Sequence, residues 1–435
     1  MNLPSSVVIP FILCCLIDLA NGSKENLTHF EIVSFNWNHV KTPYTIALWI
    51  VLASIAKILF HISKKFADTF PDSSLLIVVG LALGYGLHQI HVDESVFSLE
   101  STVFFLYLLP PIIFEAGYFM PNRALFENLD SVMLFAIVGT IWNTIAISVS
   151  LYVLGTFGLF SVEFSAFEIL LFASLISAVD PVAVIAIFEE IHVNEFLFVN
   201  VFGEALFNDG VTVVSFSQLL PLVWFGENQS LDSWSCIKCF TKFRQIGENN
   251  LTPVDYGSGA LSFLVIALGG IGIGLLFALV VSFITKYTDR VKILSPVFIF
   301  VIPYLAYLSA EMFGLSSILA IVSCGICMKQ YVKENITHSA ANSVKYFTKM
   351  LAQCMETVIF MFLGLSTISS SQHWGHVVCS SYDRFLSSLS SHRFRKKKFS
   401  SVDQFILSYG GLRGAIAFGW LLSLFQTIFP AKNMF

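Results

Sequence analysis

Residues Val201 to Val214 read Val-Phe-Gly-Glu-Ala-Leu-Phe-Asn-Asp-Gly-Val-Thr-Val-Val, an apolar stretch interrupted by Glu204, Asn208 and Asp209. A carboxylate near a bilayer centre costs roughly 2.5–3.5 kcal/mol on insertion scales, so it faces a partner or a water-filled cavity and marks ion or proton chemistry. Glu204 and Asn208 are four apart and share a helix face, while Asp209 lies about 100° further round. One apolar segment earlier stands Ser177-Ala178-Val179-Asp180-Pro181-Val182-Ala183-Val184. Pro181 has no backbone N–H, so the Ser177 carbonyl loses its helical partner beside the Asp180 carboxylate. A broken helix carrying a carboxylate is an ion-site design, because unwound backbone offers dipoles to an ion. The third signal is Ser408-Tyr409-Gly410-Gly411-Leu412-Arg413-Gly414-Ala415. Its glycines allow unwound or closely packed backbone around Arg413, which can neutralise the negative ends of two half-helices or pair with a carboxylate. We favour the first role.

Blander roles set the scale for these. One membrane aspartate can serve only as an interhelical hydrogen-bonding group, but two on consecutive segments with a proline break argue for ion chemistry. Glu204 reads as a structural acid rather than an ion carrier. Glu311 and Glu356 divide evenly between structural pairing and pore lining. Pro110-Pro111 kinks its segment and frees the carbonyls of Leu106 and Tyr107. Gly269-Gly270-Ile271-Gly272-Ile273-Gly274 lies in an apolar run with no strand or acidic follower, which predicts close helix packing rather than a nucleotide loop. Cys236-Ile237-Lys238-Cys239 has no second pair and defines no metal or redox site.

The elements that must position these residues are membrane helices. The 435 residues are 56% hydrophobic and 12% charged, with a mean hydropathy of +0.77, against about 25% charged residues in soluble domains. About eleven apolar segments are long enough to span. They run approximately from 44 to 62, 75 to 90, 102 to 119, 131 to 154, 168 to 188, 196 to 224, 259 to 284, 297 to 313, 317 to 328, 347 to 368 and 405 to 429. The segment at 317 to 328 is short for a span. Met1 to Gly22 reads as a signal peptide and 23 to 43 as an extracellular segment. Sequons at Asn26, Asn228 and Asn250 fall on the outer side. Lys64, Lys65, Arg123, Lys286, Arg290, Lys292, Lys329, Lys333, Lys345 and Lys349 fall inside, as does the sequon at Asn335, expected to stay unmodified. Nothing points to nucleic acid, to a cofactor or to an enzyme's nucleophile and base.

With these residues in view, the chain resembles the animal plasma-membrane sodium/proton exchangers, a family of cation/proton antiporters. The likeness rests on Phe104 to Phe119, Ala178 to Val184, Phe188-Glu189-Glu190-Ile191-His192-Val193-Asn194-Glu195, Phe202-Gly203-Glu204 with Asn208-Asp209, and Tyr409 to Ala415. It implies an all-α polytopic membrane protein with the antiporter fold: inverted six-helix repeats, two crossing broken helices, and here an incomplete second repeat. It implies an electroneutral exchange of Na⁺ for H⁺ by alternating access, in a plasma-membrane homodimer with its N-terminus extracellular. By the same likeness Asp209 binds Na⁺ and H⁺ alternately with Asn208 beside it. Asp180 is the acid of the first broken helix, and Glu204 and Arg413 form the charge network of the core. Phe104, Leu109 and Gly117 fall in the stretch associated with amiloride-type inhibitors.

The departures are as specific. The family carries a span after Ile368 with an arginine that pairs with the glutamate matching Glu204. Here 369 to 404 is Ser-rich and carries Arg393-Phe394-Arg395-Lys396-Lys397-Lys398 on what should be the outer side. Residues 44 to 368 then make a ten-span domain, and 405 to 435 a last span ending before the family's final span and tail. On this reading Glu204 lacks its partner, and breaking a buried pair typically costs about 3–5 kcal/mol. The alternative to a working antiporter is a transport-incompetent truncated isoform, or an incomplete gene model, that dimerises with intact exchangers.

Overall fold

The computed structural model describes residues 72–89, 101–157, 166–178, 195–224, 253–287 and 294–369, with scattered positions between Tyr44 and Ile58. Among the described residues every regular element is helical, as an apolar environment demands, since a helix satisfies its backbone polar groups internally. The elements are α1 (Asp72–Gln89), α2 (101–119), α3 (Asn122–Glu127), α4 (129–156), α5 (Ala166–Ile176) and α6 (Glu195–Trp224). They continue with α7 (Pro253–Thr285), α8 (Ser295–Met312), α9 (Ser317–Asn335) and α10 (His338–Ser369). Among the described residues four stretches are long and apolar enough to cross a membrane: Leu129–Thr156, Leu261–Thr285, Ser295–Met312 and His338–Leu365. Both ends of the chain, the loop with Cys236 and Cys239, the sequons at Asn26, Asn228 and Asn250, the Arg393 to Lys398 cluster, Asp180 and Arg413 lie outside the described residues.

The chain forms two units. In one, α1 crosses the end of α10 from Phe360 onward. Their backbones touch there, because a Cβ at Gly80 would strike the Met361 carbonyl and one at Gly364 the Ile77 carbonyl. The other unit holds α2 to α9 and the first part of α10.

Within the larger unit α9 is the central helix, and its last-turn residues correct the sequence boundary. It runs 19 residues from Ser317 to Asn335, well past Met328. Lys329 ends the apolar run but not the helix, because its Nζ donates to the Met120 carbonyl at 2.6 Å. Asn122 Nδ2 donates to the Ile326 carbonyl at 2.8 Å, so the α2–α3 turn is tied twice to α9. At the other end, α8 stops where Gly314 takes a φ of 65°, a left-handed value that costs glycine little. Leu315 N–H then reaches back to the Ala310 carbonyl at 2.9 Å, and the Ser316 side chain caps α9 by accepting from Leu319 N–H. The glycine run of α7 packs on this corner: a Cβ at Gly270 would meet the Ser316 carbonyl, and one at Gly274 the Ala320 carbonyl and Ser323. Close helix packing is therefore the use of that run.

Pro110 and Pro111 do more than kink α2. Residues Phe104–Leu108 form a π-helical turn, in which Leu109 N–H bonds the Phe104 carbonyl five residues back. In that register the prolines orphan the carbonyls of Phe105 and Leu106, not those of Leu106 and Tyr107. Both are answered from α8: Tyr307 Oη donates to Phe105 O at 2.9 Å and Tyr304 Oη to Leu106 O at 2.8 Å. Three-residue spacing puts the two tyrosines on one face of α8, matched to two consecutive carbonyls.

Candidate functional site

The site is built on α6, and its polar residues recur every four positions: Asn200, Glu204, Asn208 and Thr212. Four residues exceed one helical turn by about 40°, so the set makes a continuous, slowly rotating stripe. All four are buried, with exposures of 0%, 5%, 1% and 1%. Asp209, 3% exposed, sits next to the stripe. Two glycines let α6 pack closely. A Cβ at Gly203 would lie 2.9 Å from Val132 Cγ1, and one at Gly210 would lie 2.6 Å from Leu319 Cδ2. The glycine at 210 is therefore a tight contact with the first turn of α9, directly beside Asp209.

Asn208 links α6 to the end of α5. Its Nδ2 donates to the Ser177 carbonyl at 3.3 Å, just past the last residue of α5. Its Oδ1 accepts from Thr212 Oγ1 at 3.0 Å, which fixes the orientation of the amide. Ser177 Oγ in turn donates to the Thr140 carbonyl of α4 at 3.0 Å, and Thr140 Oγ1 to Ala136 O at 2.6 Å. Ser177 is 0% exposed and Thr140 2%. The network thus runs from α4 through the end of α5 to the residue before Asp209, and its members are buried. A buried polar group left unmade there costs about 1–3 kcal/mol.

Of the sequence-derived site residues, the structure brings together Glu204, Asn208 and Asp209 on α6 and sets Ser177, three residues before Asp180, against them. Asp180 and Arg413 lie outside the described residues. Glu204 and Asp209 each have an interaction partner in the fold. Phe104 and Leu109 are buried, at 0% and 2% exposure. Gly117 presses on Val322, whose Cα would be 3.3 Å from a Cβ there. Glu311 stands in the last turn of α8, before the α8–α9 corner.

The sequence reading missed Thr212, Thr140, the Ser177 hydroxyl and Asn200. The four-residue polar spacing of α6 was a visible signal for Asn200 and Thr212. Nothing local marks Thr140, because its partner is 37 residues away. Among the described residues no cluster of three or more His, Cys, Asp or Glu side chains could hold a metal ion.

Comparison with known proteins gives a consistent outcome. The family described as "Sodium/hydrogen exchanger, transmembrane" matches residues 50–435. The probable Na(+)/H(+) antiporter nhx-3 of Caenorhabditis elegans is 54% identical over 441 residues, covering 99% of this chain and 62% of its own length. Sodium/hydrogen exchanger 3 of Homo sapiens is 45% identical over 418 residues, covering 93% of this chain and 48% of its own. The chain therefore spans between about half and two thirds of these relatives. Among solved structures, the sodium proton antiporter MjNhaP1 from Methanocaldococcus jannaschii at pH 8 aligns with a TM-score of 0.64 at 18% identity, over 91% of this chain and 88% of its own. At that identity the likeness speaks for the fold.

Proposed function

Because this chain is a multi-pass membrane protein that belongs to the sodium/hydrogen exchanger family, we propose that it exchanges Na⁺ for H⁺ across a membrane at Asp209. The observation that carries this is the bond from Asn208 to the carbonyl of Ser177, which ties the residue beside the acid to the end of α5, three residues before Asp180 in sequence. Asp209 takes either a proton or Na⁺, since a bound cation favours the charged carboxylate and a bound proton removes the charge that attracts the cation. Mutual exclusion at one site, exposed alternately to each side, exchanges one ion for the other. Asp180 and Arg413 shape the broken helices that flank the ion, and Asn208, being neutral, leaves Asp209 as the acid that titrates, so each cycle moves one Na⁺ against one H⁺. A homodimer in the plasma membrane, with its N-terminus extracellular, completes the proposal.

The test is reconstitution of the full chain into liposomes loaded with a pH dye. An outward Na⁺ gradient should acidify the lumen, and a membrane potential clamped with valinomycin and K⁺ should leave the rate unchanged. A rate that follows the potential would rule out electroneutral exchange, and no Na⁺-driven change would rule out the activity.

A further inference from the structure

Asn200 has a feature that exchange at Asp209 does not use. Its side chain is fully buried, at 0% exposure, and its Nδ2 donates to the Phe196 carbonyl one turn back at 2.7 Å. Its Oδ1 is buried with no hydrogen-bond partner among the described residues. The residue four positions on is Glu204, also buried at 5% exposure. Side chains four apart on a helix are neighbours, with Cβ atoms about 5–6 Å apart, so an amide oxygen and a carboxylate oxygen at this spacing can ligate one ion together. Both are hard oxygen donors, the type that binds hard cations such as Na⁺.

Asn143 of α4 also carries a buried Oδ1 without a partner among the described residues. Its helix face continues into Ile147 and Leu151, which pack on Ile169 and Ala173, and no carboxylate lies within a turn of it in sequence. Asn200 differs in having a carboxylate next to it on the same stripe, and that stripe leads to Asp209.

We propose that Asn200 and Glu204 form a second cation station, occupied by Na⁺ on its way between the cytoplasmic side and Asp209. It rests on the exchange reading for its place in transport, though not for its binding chemistry. Glu204 and Asn200 precede Asp209 by five and nine residues, which is about 7.5 and 13.5 Å along the helix axis. The distribution of Lys and Arg puts the start of α6 at the cytoplasmic side, so the station lies inward of Asp209. A neutral oxygen beside one carboxylate binds a monovalent ion weakly enough to release it, as a transit site requires.

The experiment measures Na⁺ binding to the purified full chain as a Na⁺-dependent shift of the thermal unfolding midpoint, with choline as control. In the Asp209→Asn background the station should still give a Na⁺-specific shift. Adding Asn200→Leu should weaken the half-saturating Na⁺ concentration of that shift at least about tenfold, and Asn200→Asp should strengthen it. Asn200→Ser, which shortens the side chain, serves if the leucine variant does not fold. Loss of every Na⁺-specific shift in Asp209→Asn alone, or an unchanged shift in the Asn200→Leu or Asn200→Ser double variant, would overturn the proposal. Failure of the parent chain to move protons in liposomes would instead count against the exchange reading, and the binding measurement would still decide the role of Asn200.

Discussion

Two places in the larger unit have backbone carbonyls taken up by side chains from another helix, and the bonds differ in length. At Pro110-Pro111 the orphaned carbonyls of Phe105 and Leu106 receive tyrosine hydroxyls at 2.9 and 2.8 Å from α8, a helix that packs against them. Just past the end of α5, the Ser177 carbonyl receives an amide at 3.3 Å from Asn208. The first pair of bonds is short, made by bulky rings and far along the chain from any acid of α6. The second is long for a hydrogen bond and is made by the residue next to Asp209. A rigid repair suits a packing joint. A longer, weaker one suits a joint beside Asp209 that gives way more easily.

The largest effect should come from the tyrosine joint. Tyr304→Phe with Tyr307→Phe leaves two carbonyls unmade, at a cost of about 1–3 kcal/mol each. The thermal midpoint should fall markedly while the half-saturating Na⁺ concentration for exchange stays at the parental value. A shifted Na⁺ dependence would break the contrast, because the joint would then be part of the ion path. Next comes Asn208→Leu, which removes the bonds to the Ser177 carbonyl and from the Thr212 hydroxyl, the buried carbonyl costing about 1–3 kcal/mol. Here both stability and the apparent Na⁺ affinity should drop, and an unchanged Na⁺ dependence would make Asn208 as purely structural as the tyrosines.

Smaller effects sharpen the geometry. Gly210→Ala forces a methyl to within 2.6 Å of Leu319 Cδ2, and overpacking of this kind costs about 1–3 kcal/mol, at the low end where a leucine can shift. Leu319→Ala in the same chain should restore part of the lost thermal stability, and no recovery would show that the crowding lies elsewhere. Smallest is Ser177→Ala, which removes one hydroxyl bond to the Thr140 carbonyl. That carbonyl keeps Thr144 Oγ1 at 2.9 Å, so about 1 kcal/mol is expected by denaturant or thermal unfolding.

The sequence made the acids of α6 and the break at Pro110 and Pro111 legible, because a carboxylate in an apolar run or a residue without an N–H is conspicuous alone. It also placed the α7 glycines in a packing role. It put the freed α2 carbonyls one residue too late, since the π-helical turn changes which carbonyl a proline fails to serve, and register is set by the tyrosines of α8 rather than locally. It ended α9 too early at Lys329, whose amine is satisfied by a carbonyl 209 positions away in sequence. The absence of the family's arginine partner for Glu204 is a reading of 369 to 404, and 370 to 404 lies outside the described residues. Asn335 adds a reason for its sequon to stay unmodified, as its Nδ2 already donates to Ser282 O at 3.0 Å.

The most direct measurement is the lumenal pH of liposomes carrying the chain or its Asp209→Asn variant under the same outward Na⁺ gradient. The expected result is acidification with the parent and none with the variant, at matched amounts of folded protein. Equal proton movement in the two would contradict Asp209 as the exchange site.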